Sequence, residues 1–522
     1  MQPTTAESLK ILSNREEYRD QYWHKKDPII KDRLLWRAQT FRHLVHLLPG
    51  QSILELGCGT GLFTEQLYKV SRGENPITAV SFSEDISSTR EFYPSINFLR
   101  LSNIPGLLQG RTFDFIIAMD LLDKSNCSWL LTQVHELLSP GGQIIFYESN
   151  PWNIMLQAKR FFRKLFGISD QRQLANRSQL YELVSQLGFI KIFAIFNDFV
   201  YAPLMPRGIW LLRNLSILLE NLPFVRTLAG SILLHAQKPP QHLTKPHISL
   251  CDHKELLGKI SVVVPCHNEE MNIVPLVTQL IKFYNEYLFE IVLVDDNSQD
   301  KTKEVITQLA NEYDIVNPVF RTPPNGVGRA IADGYAVAKA EYILSMDCDF
   351  QHLLPELRDL FDAAATNNYD VIIGSRFSRH SVLLNYPFQK IVANRAFHLF
   401  ARLLFFRQFR DLTNNLKLIR REVIEKMELT QPGFAINAET GLLPLLMGFR
   451  LIEIPISWIN RTPDMGVSSF KLIKVGGGYW SVLIRLWVQL NFNKNSYYPK
   501  IKLRKVNEQK LNLSSKAKSQ TE

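Results

Sequence analysis

The stretch ILSMDCDFQH, Ile343 to His352, decides the reading of the C-terminal half. Its apolar start has the character of a strand buried in a sheet, and it breaks off abruptly into Asp347, Cys348 and Asp349. Two carboxylates one residue apart at a strand's end repel each other unless a positive charge sits between them. A hard divalent cation meets that need, because such ions prefer oxygen ligands and share them with phosphates. The pair therefore predicts a strand end that faces a cation and a nucleotide diphosphate.

Outward from that point, three further elements repeat the strand-then-polar pattern. ISVVVPCHNEE ends a strand at Pro265 and presents Asn268 and Glu269, groups suited to a nucleobase edge. EIVLVDDNSQDKT places Asp295 and Asp296 at the end of the next strand. NGVGRAIADGYAVAKA is a glycine-rich turn that feeds a helix. Any one of these could be a cap or a turn, but the four in this order describe a nucleotide-binding α/β sheet.

With these residues in view, the segment 258–475 resembles the family 2 glycosyltransferases of GT-A fold, and within them the dolichyl-phosphate mannose synthase branch. The resemblance implies a nucleotide-sugar donor, a polyprenyl phosphate acceptor, inversion at the transferred carbon and an ion such as Mg2+ or Mn2+. It assigns Asp347, Asp349 and Gln351 to the metal. Pro265, Asn268, Glu269, Asp295, Asp296 and Asp347 fall to the donor nucleotide. Arg376, at the end of DVIIGSRF, together with Arg461 and Lys471, is assigned to the acceptor phosphate, which guanidinium groups suit by two-pronged bonding. RDLTNNLKLIRREVIEKM keeps that branch's Asp411 and Thr413 but carries Asn414, Asn415, Leu416 and Lys417 where serine, glycine, phenylalanine and arginine are expected. Asp349 is the catalytic candidate beside Glu439, a general base if the acceptor is a hydroxyl and otherwise the partner of a nearby arginine.

The N-terminal half carries a second signature. ILELGCGTGLF sets Glu55, Gly57, Gly59 and Gly61 between a strand and a helix, where glycines admit a ligand close to the backbone. With FDFIIAMDLL and the Pro140-Gly141-Gly142 turn, residues 40–240 resemble the class I S-adenosylmethionine-dependent methyltransferases. The resemblance implies a Rossmann-like fold and S-adenosylmethionine held by Glu55, Gly57, Gly59, Gly61, Ser81 and Asn103. Ser81 stands where the family carries an acid for the ribose hydroxyls, with Glu84 and Asp85 just beyond it. A hydroxyl supplies no charge there, so the alternative is a non-catalytic, methyltransferase-like binding domain. His135 reads as structural.

At 522 residues, 46% of them hydrophobic, the chain exceeds one core and is expected to form two α/β domains. The expected division is 1–240 for the methyltransferase-like domain, 241–257 for a linker rich in proline, histidine and lysine, 258–475 for the glycosyltransferase domain, and 476–522 for an amphipathic segment with a basic tail. The net charge of +10 points to an anionic partner: nucleic acid, acidic lipid or phosphorylated substrate. Nucleic acid is disfavoured, because no basic stripe interleaved with aromatics accompanies the methyltransferase motifs. Five scattered cysteines suit a reducing compartment, and neither a signal peptide nor a spanning run of apolar residues is expected.

Three segments carry a narrow polar stripe on an apolar helix: Arg213, Ser216 and Glu220; Arg395, His398 and Arg402; Ser481, Arg485 and Gln489. Packing within the domain is the ordinary explanation of one such helix, whereas three in a basic chain predict contact with a membrane surface. The expected protein is thus a cytoplasmic, peripherally membrane-associated enzyme. Its acceptor is a polyprenyl phosphate or another lipid-linked molecule, with a glycan hydroxyl as the alternative. The sequence carries no signal for its oligomeric state.

Overall fold

The structure, a computed structural model, describes residues 5–21, 23, 27–83, 95–100, 108, 110–166, 172–200, 209–240, 248–348, 354–378, 380–384, 386–459 and 472–492. Asp349, Gln351, Asn103, Arg461 and Lys471, with Glu84 and Asp85, lie outside these residues.

The N-terminal sheet comprises β1 (Ile53–Leu56), β2 (Ile77–Ser81), β3 (Asn97–Arg100), β4 (Phe113–Met119), β5 (Leu138–Ser149), β6 (Ile190–Asn197) and β7 (Ser231–Gln237). They lie in the order β3-β2-β1-β4-β5-β7-β6. All pair in parallel except β7, which runs antiparallel to both β5 and β6. Strands β1 and β4 are almost wholly buried, as continuous apolar runs covered on both faces must be. The chain order reverses beside β1, between β2 and β4, and in such sheets ligands bind at the carboxyl ends of the strands at that reversal.

The second sheet comprises β8 (Ile260–Cys266), β9 (Leu288–Asp295), β10 (Val316–Phe320), β11 (Tyr342–Ser345) and β12 (Val371–Ser375), followed after β13 (Val382–Leu384) by β14 (Lys417–Arg420) and β15 (Leu451–Pro455). Its order is β10-β9-β8-β11-β14-β12-β15, with β14 antiparallel between β11 and β12. The reversal falls here between β8 and β11. β13 pairs in parallel with β16 (Ser457–Ile459) as a separate ribbon.

Charged and apolar contacts join the two halves. Arg42, on helix Pro28–Leu44, makes a two-pronged bond to Asp359 at 3.1 Å for both arms. His43 pairs with Glu356, which also accepts from the backbone N–H of Ser457 in β16. Arg358 reaches Glu74 at 2.7 and 2.8 Å. Ile217, on helix Ile209–Glu220, packs in one apolar cluster with Phe377, Leu383, Tyr386 and Trp458 of the second half.

The polar stripes of the three amphipathic helices turn inward except at Ser481, which is exposed. Arg213 meets Asp32 and Asp198, His398 is fully buried, and Arg485 pairs with Glu439. Leu211, Leu403, Phe406, Ile484 and Phe492 lie on the outside instead. Among the described residues, no helix is long and apolar enough to cross a membrane.

Candidate functional site

In the second sheet, the parallel strands β8, β9 and β11 bring their carboxyl ends to one edge. Asp295 closes β9, Asp296 follows it, and Asp347 lies two residues beyond β11. The backbone N–H of Asp296 donates to Cys266 O at 2.9 Å, which locks the β8 and β9 ends together. Asp295 is buried and accepts from Ser298 N at 3.2 Å. Asp296 pairs with Arg321 and accepts from Gly326 N at 2.6 Å. Asn268, held at φ 58°, accepts from Gln299 N at 2.8 Å, and Glu269 Oε2 accepts from Asn272 Nδ2 at 2.5 Å. Pro265 sits half-buried in β8. The sheet thus brings the donor-side candidates Pro265, Asn268, Glu269, Asp295, Asp296 and Asp347 to one edge.

Asp347 differs from its neighbours. It is half-buried, and its Oδ1 accepts from Asn415 Nδ2 at 2.7 Å, while Asn415 Oδ1 accepts from Ser345 Oγ at 2.8 Å. Asn415 is a site residue that motif reading marked only as a departure. The antiparallel insertion of β14 beside β11 carries the segment just before it to the acid edge. Among the described residues nothing donates to the second oxygen of Asp347, so a carboxylate oxygen at the sheet's open edge fits a hard cation. Among the described residues, no three acidic, histidine or cysteine side chains are grouped so as to hold a metal ion by themselves.

Two of the expected residues lie inside the fold. Arg376 is buried, and its N–H groups engage Asp411 at 2.7 and 2.9 Å, Tyr386 Oη at 3.2 Å and Thr413 Oγ1 at 3.3 Å. A guanidinium held this way supports the strand ends from within. Burial alone would raise the carboxyl of Asp411, but Arg376 holds it far below the usual carboxylate range. Burial also pushes the nearby His398 down to about 3, so it stays neutral. Glu439 is fully buried and accepts from Thr430 N, Thr430 Oγ1 and Gln431 N at 3.0, 2.7 and 3.0 Å, besides pairing with Arg485. Of the two roles expected for it, these contacts show the arginine pair.

The glycine-rich turn also has a packing reason. A Cβ on Gly328 would collide with the backbone oxygens of Gln431 and Gly433, and Gly328 N donates to Pro432 O at 3.0 Å. Glu439 therefore fixes the loop 430–433, and that loop seats the helix start beside Asp296. Lys417 lies wholly buried next to this edge, donating to Asn437 O and Thr440 Oγ1 at 2.8 Å each. Burial pushes its ammonium down to about 7.

The N-terminal turn has the expected backbone. Gly57, Gly59 and Gly61 all sit at positive φ, between 51° and 75°, which side chains with a Cβ avoid. Burial pushes the Glu55 carboxyl up to about 7, and its Oε2 lacks a partner among the described residues. The space over the turn is occupied by the chain itself. Helix Thr5–Asp20 crosses the carboxyl ends of β1, β2 and β4. Glu16 Oε1 accepts from Gly59 N, and its Oε2 accepts from Phe82 N at 2.5 Å and Ser83 N at 3.1 Å. Ser81 Oγ lies beside that carboxylate's donors, accepting from Ser83 N at 3.1 Å and meeting Ser83 Oγ at 3.2 Å. Asp20 accepts from Thr60 N at 3.0 Å, and a Cβ on Gly59 would fall on its carboxylate. Burial raises the Glu16 carboxyl, against the lowering effect of Arg19. Motif reading missed Glu16 and Asp20, because nothing near Gly59 in sequence points 43 residues back.

A model of glycosyl transferase family 2 matches residues 261–428, and a methyltransferase domain model matches residues 23–192. Helix Thr5–Asp20 precedes the second match. The dolichol-phosphate mannosyltransferase of Pyrococcus furiosus is 30% identical over 204 residues, 38% of this chain and 56% of that protein. The polyprenol monophosphomannose synthase of Mycolicibacterium smegmatis is 29% identical over 214 residues, 40% of this chain and 79% of that protein. The chain thus spans little more than half the length of the first relative. A glucosyl-3-phosphoglycerate synthase from Mycobacterium tuberculosis, solved with Mn2+, uridine diphosphate and phosphoglyceric acid, is 18% identical with a TM-score of 0.35, over 47% of this chain and 84% of that one. The chain carries a methyltransferase domain followed by a family 2 glycosyltransferase domain.

Proposed function

We propose that the C-terminal half moves a sugar, with inversion, from a nucleotide-sugar donor to a polyprenyl phosphate or another membrane-borne acceptor. The observation that carries this reading is the shared edge of Asp295, Asp296 and Asp347 at the sheet's order reversal. The mannosyl-transferring relatives support the acceptor class. Asp347, with Asp349 and Gln351, would hold a Mg2+ or Mn2+ ion, which supplies charge neutralisation at the departing diphosphate. Asn415 fixes the rotamer of Asp347, and Arg321 with Gly326 N holds Asp296 toward the base. A phosphate acceptor is already anionic and needs no base, which agrees with a Glu439 engaged elsewhere. The division near 241–257 is kept in this proposal.

The outward apolar arcs of helices Phe388–Phe405 and Leu472–Phe492 support placement at a membrane surface on the cytoplasmic side. Their rings meet at Phe400 and Trp480, with centroids 5.1 Å apart. The test is transfer of radiolabelled sugar from a panel of nucleotide sugars to polyprenyl phosphate, with and without divalent cation. The expected product partitions into organic solvent and releases the label in mild acid. Label that stays in the aqueous phase on a glycan would overturn the acceptor class.

A second observation bears on the N-terminal half. The Glu16 carboxylate accepts from the backbone N–H groups of Gly59, Phe82 and Ser83. It covers the N–H groups a ligand would use. The methyltransferase domain therefore binds S-adenosylmethionine only when helix Thr5–Asp20 has moved off the turn.

A further inference from the structure

Helix Ile154–Leu165 follows β5 at the carboxyl edge of the N-terminal sheet, and none of its residues is buried. Laid on a helix of 3.6 residues per turn, Ile154, Met155, Phe161, Phe162, Leu165 and the adjoining Phe166 share one arc of roughly 140°. The opposite arc carries Lys159, Arg160, Arg163 and Lys164. The orientation is inverted relative to a helix packed on a core. Phe161, Leu165 and Phe166 are 62%, 66% and 79% exposed, while Arg160 and Arg163 turn toward the protein. Arg160 donates to Arg172 O at 2.9 Å, and Arg163 to Tyr18 Oη at 3.4 Å. Lys159 and Lys164, both exposed, stand at the two rims of the apolar arc, the Lys159 ammonium lying 5.9 Å from the Tyr18 ring centroid.

We propose that helix Ile154–Leu165, with the adjoining Phe166, inserts into an anionic lipid bilayer and docks the cofactor edge of the methyltransferase domain on it. An apolar arc flanked on both sides by lysines matches a bilayer interface, where rings and aliphatic groups enter the acyl boundary and ammonium groups reach up to lipid phosphates. At 12 residues the helix is about 18 Å long, too short to span, so it lies in the plane of the surface. Its place ties docking to the pocket. Tyr18 belongs to the helix that covers the glycine turn, and Arg172 grips Asp120, just beyond β4, at 2.9 Å. Docking through this arc sets the mouth of the pocket at the membrane, so the methyl acceptor is membrane-borne. The inference deepens the membrane-surface reading above and rests on it.

The test is flotation of the full chain with phosphatidylcholine vesicles, with and without about a third phosphatidylglycerol. The wild type is compared with the variant Phe161→Ser, Phe162→Ser, Leu165→Ser, whose changes touch no buried group. The expected result is binding to the anionic vesicles that falls at least about tenfold in the variant. Lys159→Gln with Lys164→Gln should lose the preference for anionic lipid and keep the thermal midpoint. Equal binding by the triple variant overturns the inference and leaves the membrane reading intact, because the two C-terminal helices then carry it. No vesicle binding by the wild type overturns both. Self-association of the wild type that the triple variant loses would make a second copy of the chain the occupant.

Discussion

The two sheets present the same kind of edge and treat it in opposite ways. In the N-terminal sheet, backbone N–H groups of Gly59, Thr60, Phe82 and Ser83 point at the ligand position, and Glu16 and Asp20 already answer them. In the C-terminal sheet the acids belong to the edge itself. Asp295 and Asp296 are tied down, while Asp347 keeps an oxygen open. One edge is a donor surface covered by its own chain, and the other is an acceptor surface, to which the proposed function brings a cation. A ligand-binding motif marks where charge must be balanced; whether the chain or a ligand balances it depends on residues far away in sequence.

The largest effect that separates the two edges is expected from Asp347→Ala. It should lower sugar transfer at least about a hundredfold, because no other described acid can take its place, and should leave the circular dichroism spectrum unchanged. Retained activity would break the comparison at its open edge.

Asp411→Asn comes next and tests whether Arg376 works from inside. Leaving that guanidinium buried without its charge partner should cost about 3–5 kcal/mol in denaturant unfolding. The Michaelis constant for the acceptor should hardly change; a large rise in it with intact stability would restore Arg376 as an acceptor ligand. The folded state depresses the Asp411 carboxyl, so its contribution is fully present above the unfolded carboxylate value of about 4 and is lost progressively as pH falls from there toward the much lower folded-state value. The wild type should lose stability in acid more steeply than the variant.

The smallest effect is expected from Glu16→Ala. Freeing the turn should tighten S-adenosylmethionine binding by about tenfold in calorimetry, the scale of one charge-assisted hydrogen bond. Weaker binding would mean that Glu16 replaces the missing ribose acid instead of closing the pocket.

The strands were legible because each apolar run carries its own periodicity, and ILELG, FDFIIAM, ISVVVP and YILS all form strands at the expected places. The acids and glycines of both edges were legible for the same local reason. Asn415 was not: it sits 68 residues from Asp347 and reaches it only because β14 runs antiparallel beside β11. Glu439 offered two roles on paper, and the approach of Arg485 across a helix pair gave it one of them.

Sequence alone determined the alternation of strands and helices, the turns, and the chemical types at each sheet edge, since these depend on neighbours within a few residues. Tertiary structure decided which N–H groups and carboxylates are already satisfied and which arc of helix Ile154–Leu165 faces out. Hydrogen bonds and burial are set by groups that meet in space, and the local pattern does not encode the distance between them.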